Sequence, residues 1–174
     1  MSTGNGMKYS MRLMPLFAAA MLLATWGCTR PFPPRITAQV DKSISFSELS
    51  RNPEGYKGKW VMLAGVIVAA TAEKDGSTYI EVVQKRADRE GRPYRTDESG
   101  GRFIAVSKQF LDPAIYGRGR VISVVGEVIG ESVRPLGEIP YRYPLLSVQA
   151  LHLWEPSYGP RFSIGIGVGI FHGY

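Results

Sequence analysis

The side chains that carry most protein chemistry are few in this chain and poorly spaced for it. His152 and His172 are the only histidines. Neither has a second histidine or an acid at the i, i+4 spacing that sets two metal ligands on one helix face. No metal and no cofactor is therefore expected, and His152, within Leu151-His152-Leu153-Trp154, reads as a strand residue held by a backbone carbonyl. Asp88-Arg89-Glu90 and Asp97-Glu98 fall in a charged stretch, where carboxylates stay solvated. A general acid and base need burial to separate their pKa values. No Gly-x-Ser-x-Gly elbow presents a nucleophilic serine. Cys28 is the only cysteine, which excludes an intramolecular disulfide and any multi-cysteine metal site. These residues argue against an enzyme. What remains is tyrosine and arginine: Tyr116, Arg134, Tyr141, Arg142 and Tyr143 fall in expected loops or strand edges. Together such side chains can stack on sugars or pair with phosphates. They read equally as loop anchors and solubilising charges.

The position of Cys28 says more than its count. Lys8 and Arg12 precede the uncharged stretch Leu13 to Ala24. That stretch is shorter than the roughly 20 apolar residues a membrane-spanning helix needs, and a short basic segment followed by an apolar core describes an export signal. Thr25-Trp26-Gly27-Cys28 follows and resembles a bacterial lipobox. Gly27 and Cys28 fit that pattern, whereas Thr25 and Trp26 depart from it. The resemblance implies removal of residues 1–27 and acylation of Cys28, palmitate being one such chain, so that the mature protein is held by outer-membrane lipid. Thr29, not Asp, follows the cysteine, which in such lipoproteins implies the outer membrane, here its periplasmic face. The alternative is an ordinary secretory signal that leaves Cys28 as a free thiol. Loss of Lys8 and Arg12 lowers the formal net charge from +6 to +4. That modest excess suits anionic lipid or glycan phosphate, and without a clustered basic stripe it argues against nucleic acid.

Several elements must position these side chains. Residues 28–44 carry Pro31, Pro33 and Pro34 without periodicity and read as a semi-rigid tether. The folded domain is expected over 45–155. It opens with the capping-box spacing Ser45-Phe46-Ser47-Glu48 and a short helix stopped by Asn52-Pro53. Strands are expected over Trp60–Thr71, Thr78–Gln84, Arg102–Val106, Val121–Ile129 and Leu145–Trp154, with an Asp75-Gly76 hairpin turn after the first. Lys108 to Tyr116 is expected to form one or two helical turns. Gly130 to Pro144, which carries Pro135, Gly137, Pro140 and Pro144, reads as a rigid irregular connection. Two stretches echo each other: Asn52-Pro53, Tyr56 and Gly58-Lys59 before a strand containing Gly65, and Asp112-Pro113, Tyr116 and Gly119-Arg120 before a strand containing Gly126. Glycine within a strand marks a bend or bulge, which a small closed barrel requires. The chain is therefore expected to be mainly β, a small OB-like five-stranded barrel with one or two short helices behind a lipidated N-terminal tether. An open β-sandwich is the competing architecture. Residues 156–174 form a tail in which Phe162, Ile164, Ile166, Val168 and Ile170 alternate with serine and glycine, the period of a strand. It reads as an extra strand or a surface segment, or as a route to self-association or membrane insertion.

Further blocks occur in order: Phe110-Leu111-Asp112-Pro113 with Tyr116, Gly119-Arg120, Val124-Val125-Gly126 with Gly130, Ile139-Pro140-Tyr141-Arg142-Tyr143-Pro144-Leu145-Leu146, and His152-Leu153-Trp154. With Gly58-Lys59, Gly65 and the lipobox, they resemble the Slp family of starvation-inducible outer-membrane lipoproteins of Gram-negative bacteria. The resemblance implies an envelope lipoprotein linked to stress, with no established enzymatic activity or ligand. The leading expectation is a non-enzymatic lipoprotein that binds an envelope protein or glycan, or has a structural role in envelope integrity. The alternative is an accessory factor of an envelope assembly or secretion machine that engages a membrane β-structure through its tail.

Overall fold

A computed structural model of the chain describes residues 30–156. The export signal, Cys28 and the glycine-rich tail lie outside the described residues. Five strands, β1 (Trp60–Ala72), β2 (Thr78–Lys85), β3 (Arg102–Ser107), β4 (Val121–Leu136) and β5 (Ile139–Leu153), close into a barrel in the order β1-β2-β3-β5-β4. Every pairing is antiparallel except β3 with β5. This is the Greek-key arrangement of an OB barrel, and its closure excludes the sandwich. Two short helices precede it, α1 (Pro34–Thr37) and α2 (Phe46–Arg51).

Alternation in the strands builds the interior. Ile80 and Val82 of β2, Phe103 and Ala105 of β3, and Ile122, Val124 and Val128 of β4 meet Leu63, Ile67 and Leu146 in one buried cluster. Helix α2 plugs one end of it with Phe46 and Leu49, and the Phe46 ring meets Phe103 edge-on at 6.3 Å. The helix starts where the sequence requires. Ser45 Oγ accepts from the Glu48 N–H and the Glu48 carboxylate accepts from the Ser45 N–H, a reciprocal cap. Gly65 lets β2 lie close against β1, because a Cβ there would overlap the Val83 carbonyl oxygen of the adjoining strand, and the bulge of β1 falls just beyond it at Ile67–Ala69. The echo noted in the sequence proves to be a local two-fold between β1 and β4. Gly58 N–H donates to Val128 O and Gly119 N–H to Ile67 O, each at 2.9 Å, while Val128 N–H and Ile67 N–H return bonds to Lys59 O and Arg120 O. Both glycines have positive φ, which glycine adopts without a Cβ penalty.

Three expectations need correction. The packed chain starts at Phe32, ahead of Ser45. Phe32 is buried, α1 follows with proline at its first turn, and Val40 bridges Trp60 in parallel. An apolar ring beside prolines at the start of α1 holds the segment down where proline content alone suggests a spacer. Lys108 to Tyr116 forms no helix. Asp112 O accepts from Ile115 N and Tyr116 N in one turn, and the chain must then reach Gly119 in time to bond Ile67. Finally, Gly130 to Pro144 is not irregular. β4 and β5 run on as a two-stranded ribbon joined by the turn Gly137-Glu138, where Gly137 takes positive φ.

The register explains how a ribbon tolerates Pro135, Pro140 and Pro144. The tight turn makes Leu136↔Ile139 the hydrogen-bonded closing pair, and bonded and non-bonded pairs then alternate. Pro135↔Pro140 and Glu131↔Pro144 both fall on non-bonded pairs. No proline stands where the ladder needs an N–H.

Candidate functional site

The root of the ribbon gathers most of the tyrosine and arginine expected at a binding surface. Strand alternation points Tyr79 and Glu81 of β2 and Arg102 of β3 out of the barrel, since their neighbours Ile80, Val82 and Phe103 are core. Tyr141 and Tyr143 of β5 meet them on the outer face. Arg102 Nη1 donates to Glu81 Oε1 at 2.6 Å, and the Tyr143 hydroxyl donates to the same oxygen at 3.1 Å. The Tyr141 hydroxyl accepts from the Arg102 backbone N–H at 2.9 Å. The two tyrosine rings lie edge to face, 4.8 Å between centroids. Arg134, the cross-strand partner of Tyr141, places its guanidinium 5.4 Å from the Tyr79 ring.

The electrostatics follow from this packing. The hydrogen bond to Glu81 holds the Arg102 guanidinium above its ordinary value. Burial, followed by the Glu81 carboxylate, pushes the Tyr143 phenol up, and Arg102 partly offsets the rise. Arg102, Glu81 and Tyr143 thus satisfy one another. They fasten the ribbon to the outer face of β2 and β3.

The five expected surface residues separate in space. Arg134, Tyr141 and Tyr143 share one face of the ribbon. Arg142 points from the opposite face, where it pairs with Glu131 at 3.4 Å. Tyr116 lies in the β3–β4 loop, in an open groove of about 410 Å³ lined also by Lys108, Gln109, Gln149 and Leu151. Glu81, Arg102 and Tyr79 were not singled out from the sequence. No local signal marks them, because alternation puts Tyr79, Glu81 and Arg102 at outward positions where polar side chains are ordinarily solvated.

A second outer-face cluster also went unforeseen. Ser123 is buried on β4. Its hydroxyl donates to Gly91 O at 2.5 Å and accepts from Trp154 Nε1 at 2.7 Å. The guanidinium of Arg92 stacks 4.8 Å from the Trp154 ring. His152, expected as a carbonyl-held strand residue, is a strand residue whose ring packs edge-on against Trp154 at 4.4 Å and Phe32 at 6.3 Å. The charged loop after β2 and the segment before α1 are thereby fastened to the barrel wall. Among the described residues, no group of three or more His, Cys, Asp or Glu side chains is placed to hold a metal ion.

Residues 26–164 match the outer membrane lipoprotein Slp family. The chain belongs to this family. Among curated relatives of this Slp-family protein, the uncharacterized lipoprotein YeaY of Escherichia coli K12 is 30% identical over 103 residues, which is 59% of this chain and 52% of YeaY. The chain therefore matches about half the length of that relative. An uncharacterized protein of Haemophilus influenzae is 27% identical over 143 residues, 82% of this chain and 76% of its own length. Among solved structures, the small single-stranded DNA-binding protein of Streptomyces coelicolor is 12% identical with a TM-score of 0.37, covering 54% of this chain and 92% of its own. The Plasmodium falciparum SSB in complex with ssDNA is 16% identical with a TM-score of 0.30, covering 55% of this chain and 94% of its own. Family membership makes the chain an outer-membrane lipoprotein of the bacterial envelope.

Proposed function

We propose that this Slp-family protein is a non-enzymatic binding or structural module, acylated at Cys28 and held at the periplasmic face of the outer membrane. It displays its β4–β5 ribbon to an envelope protein or glycan. The observation that carries the reading is the way the ribbon is mounted. Tyr141 and Tyr143 hold its root through Arg102 and Glu81, while Val133, Arg134, Ile139 and Arg142 stand exposed beyond the barrel. A rigid arm with exposed apolar and guanidinium groups suits recognition, because little conformational freedom is left to lose on contact. The reactive-looking groups of the site are meanwhile consumed in holding that arm. Stress adaptation is the setting that the resemblance to starvation-inducible lipoproteins supports.

The test has two parts. Mass spectrometry of the Cys28 peptide from membranes should find it acylated, and Cys28→Ser should move the protein into the soluble periplasm; a free thiol on membrane-associated protein would refute the anchor. A photo-crosslinking side chain at position 139 in intact cells should give one dominant adduct that disappears with Arg134→Glu. Adducts no stronger than those from position 76 in the β1–β2 turn would refute the ribbon as the binding element.

A further inference from the structure

Both ends of the described chain converge on the Ser123 cluster. Phe32 packs against His152, His152 against Trp154, and Trp154 N–H closes on Val121 O at the first residue of β4. Cys28 lies only four residues before Phe32 in the sequence. Fully extended, that chain spans roughly 14 Å at 3.3 to 3.6 Å per residue. If Cys28 carries the lipid, as proposed above, the barrel cannot stand away from the leaflet, and the Phe32 side must be the one that faces it. The ribbon tip lies at the far end of the same strand. Val121 to Leu136 at about 3.3 Å per residue places it roughly 50 Å away along β4.

The β3–β4 loop, which joins this cluster, is built for a lipid interface. Arg120 links the cluster to the β3–β4 loop, donating to Trp154 O at 3.5 Å and to Ile115 O at 3.1 Å. In that loop Phe110 is 61% exposed and Ile115 51% exposed, two large apolar side chains with no cover. Lys108 and Arg118 stand exposed beside them. The one acid of the loop, Asp112, accepts from Ala114 N–H to close the turn. Arg30 and Arg35 add positive charge on either side of Phe32. By contrast, the ribbon tip sets Glu131 and Glu138 against Arg134 and Arg142 and has no net charge. Apolar side chains flanked by cations are what an anionic headgroup region accepts, the rings and branched chains entering about 5 to 10 Å and the cations meeting phosphate.

We propose that the β3–β4 loop is a membrane-docking surface: Phe110 and Ile115 insert at the headgroup boundary of the leaflet that holds the anchor, and Lys108 and Arg118 pair with phospholipid phosphate. The acyl chains fix the barrel to the membrane and the loop fixes its orientation, so the ribbon is held outward into the periplasm. The occupant is an anionic phospholipid surface.

The test uses the full acylated protein in vesicles of phosphatidylethanolamine and phosphatidylglycerol. With Cys28 acylated, Ala114→Cys supplies a single thiol for a polarity-sensitive dye between Phe110 and Ile115, and Ile139→Cys supplies one at the ribbon tip. The dye at 114 should shift to shorter wavelength and be quenched by brominated lipid at least about twofold more than the dye at 139. Phe110→Ser with Ile115→Ser in the Ala114→Cys protein should abolish the difference while vesicle flotation persists. Equal quenching at 114 and 139, or stronger quenching at 139, in protein that floats overturns the docking surface and leaves the anchor standing. Protein that does not float and carries no acyl mass at Cys28 overturns both.

Discussion

Strands β4 and β5 pass through two environments in one hairpin. Over Val121–Val128 and Leu145–Leu153 they are walls of the barrel, with β1 and β3 bonded along their outer edges. Beyond Gly130 the same two strands leave the barrel as a ribbon whose backbones pair only with each other, while the side chains of Tyr141 and Tyr143 reach back to β3 and β2. The two halves solve the problem of a strand edge differently. The barrel half pairs its edges, with Gly65 thinned so that β2 can approach β1 closely enough to close the ring. The ribbon half has no partner for its edges, and it carries prolines there. Packing therefore dominates the energetics of one half and backbone chemistry those of the other.

Substitutions that treat the halves as alike should break this comparison most visibly. Gly65→Ala should have the largest effect, because its Cβ meets the Val83 backbone, which cannot step aside without parting β1 from β2. The cost should exceed the roughly 1–3 kcal/mol usual for overpacking. Gly137→Ala in the ribbon turn has nothing within 4 Å of the new Cβ and bears only the strain of positive φ, about 1–2 kcal/mol. Urea unfolding of the two variants should separate them clearly. Phe103→Ala should follow at about 3–5 kcal/mol, since the ring is fully buried against Phe46. Val133→Ala, exposed on the ribbon, should stay within about 0.5 kcal/mol.

Smaller effects should come from the polar fasteners on the outer wall. Ser123→Ala strands the Trp154 indole N–H and the Gly91 carbonyl together and should cost about 1–3 kcal/mol, with faster proteolysis of the loop after β2 as a local sign. At the ribbon root the sign of the pH effect follows from the direction of the Tyr143 shift. Its phenol is raised in the folded state, first by burial and then by Glu81. The folded protein thus holds this proton more tightly than the unfolded chain does. The associated stability is complete below the ordinary tyrosine value of about 10 and is lost as pH rises through the higher folded value. Thermal melts should therefore fall above about pH 10 more steeply for the wild type than for Tyr143→Phe.

What could be read from the sequence follows the same division. In the barrel half, local pattern and tertiary structure agree. The alternation in Thr78 to Lys85 is the burial pattern of β2, Ser45 and Glu48 cap α2 as their spacing requires, Gly126 lies at a register shift, and Gly65 admits the Val83 backbone. In the ribbon half, Pro135, Pro140 and Pro144 suggest an irregular connection, because proline content is visible in a sequence whereas the parity of a ladder is not. That parity is set by one turn, Gly137-Glu138, and only from the turn outward does each proline fall on a non-bonded pair. Phe32 misleads for a related reason. Its burial depends on His152, more than a hundred residues later, and no local pattern announces a partner so distant. At the candidate site Tyr141 and Tyr143 could be selected by type, but the Glu81 and Arg102 that hold them come from other strands, and the opposed face of Arg142 again depends on register.

The prolines make the last and smallest prediction in stability, although they bear most directly on what separates the halves. On a non-bonded pair, the backbone N–H of each residue points away from the partner strand, toward the free edge of the ribbon. Along this edge of β5 these positions are 140, 142 and 144, and proline occupies two of them, Pro140 exposed near the tip and Pro144 buried at the root beside β3. Pro135 occupies such a position on β4. A second strand seeking to add to either edge near the tip would find a donor missing, so the ribbon is protected from edge-to-edge pairing without being covered. Replacing the two exposed prolines Pro135 and Pro140 together by Thr restores one donor on each edge of the ribbon and favours extended backbone. It should change unfolding free energy by no more than about 1 kcal/mol while shifting the protein toward dimers or larger species in light scattering. The same replacement with Ile139→Lys added should return it to the parent size, because the added charges repel when two edges align. If the double proline variant stays at the size of the parent at high concentration, the prolines do not guard the edge, and the exposed ribbon owes its solubility to Glu131, Arg134, Glu138 and Arg142 instead.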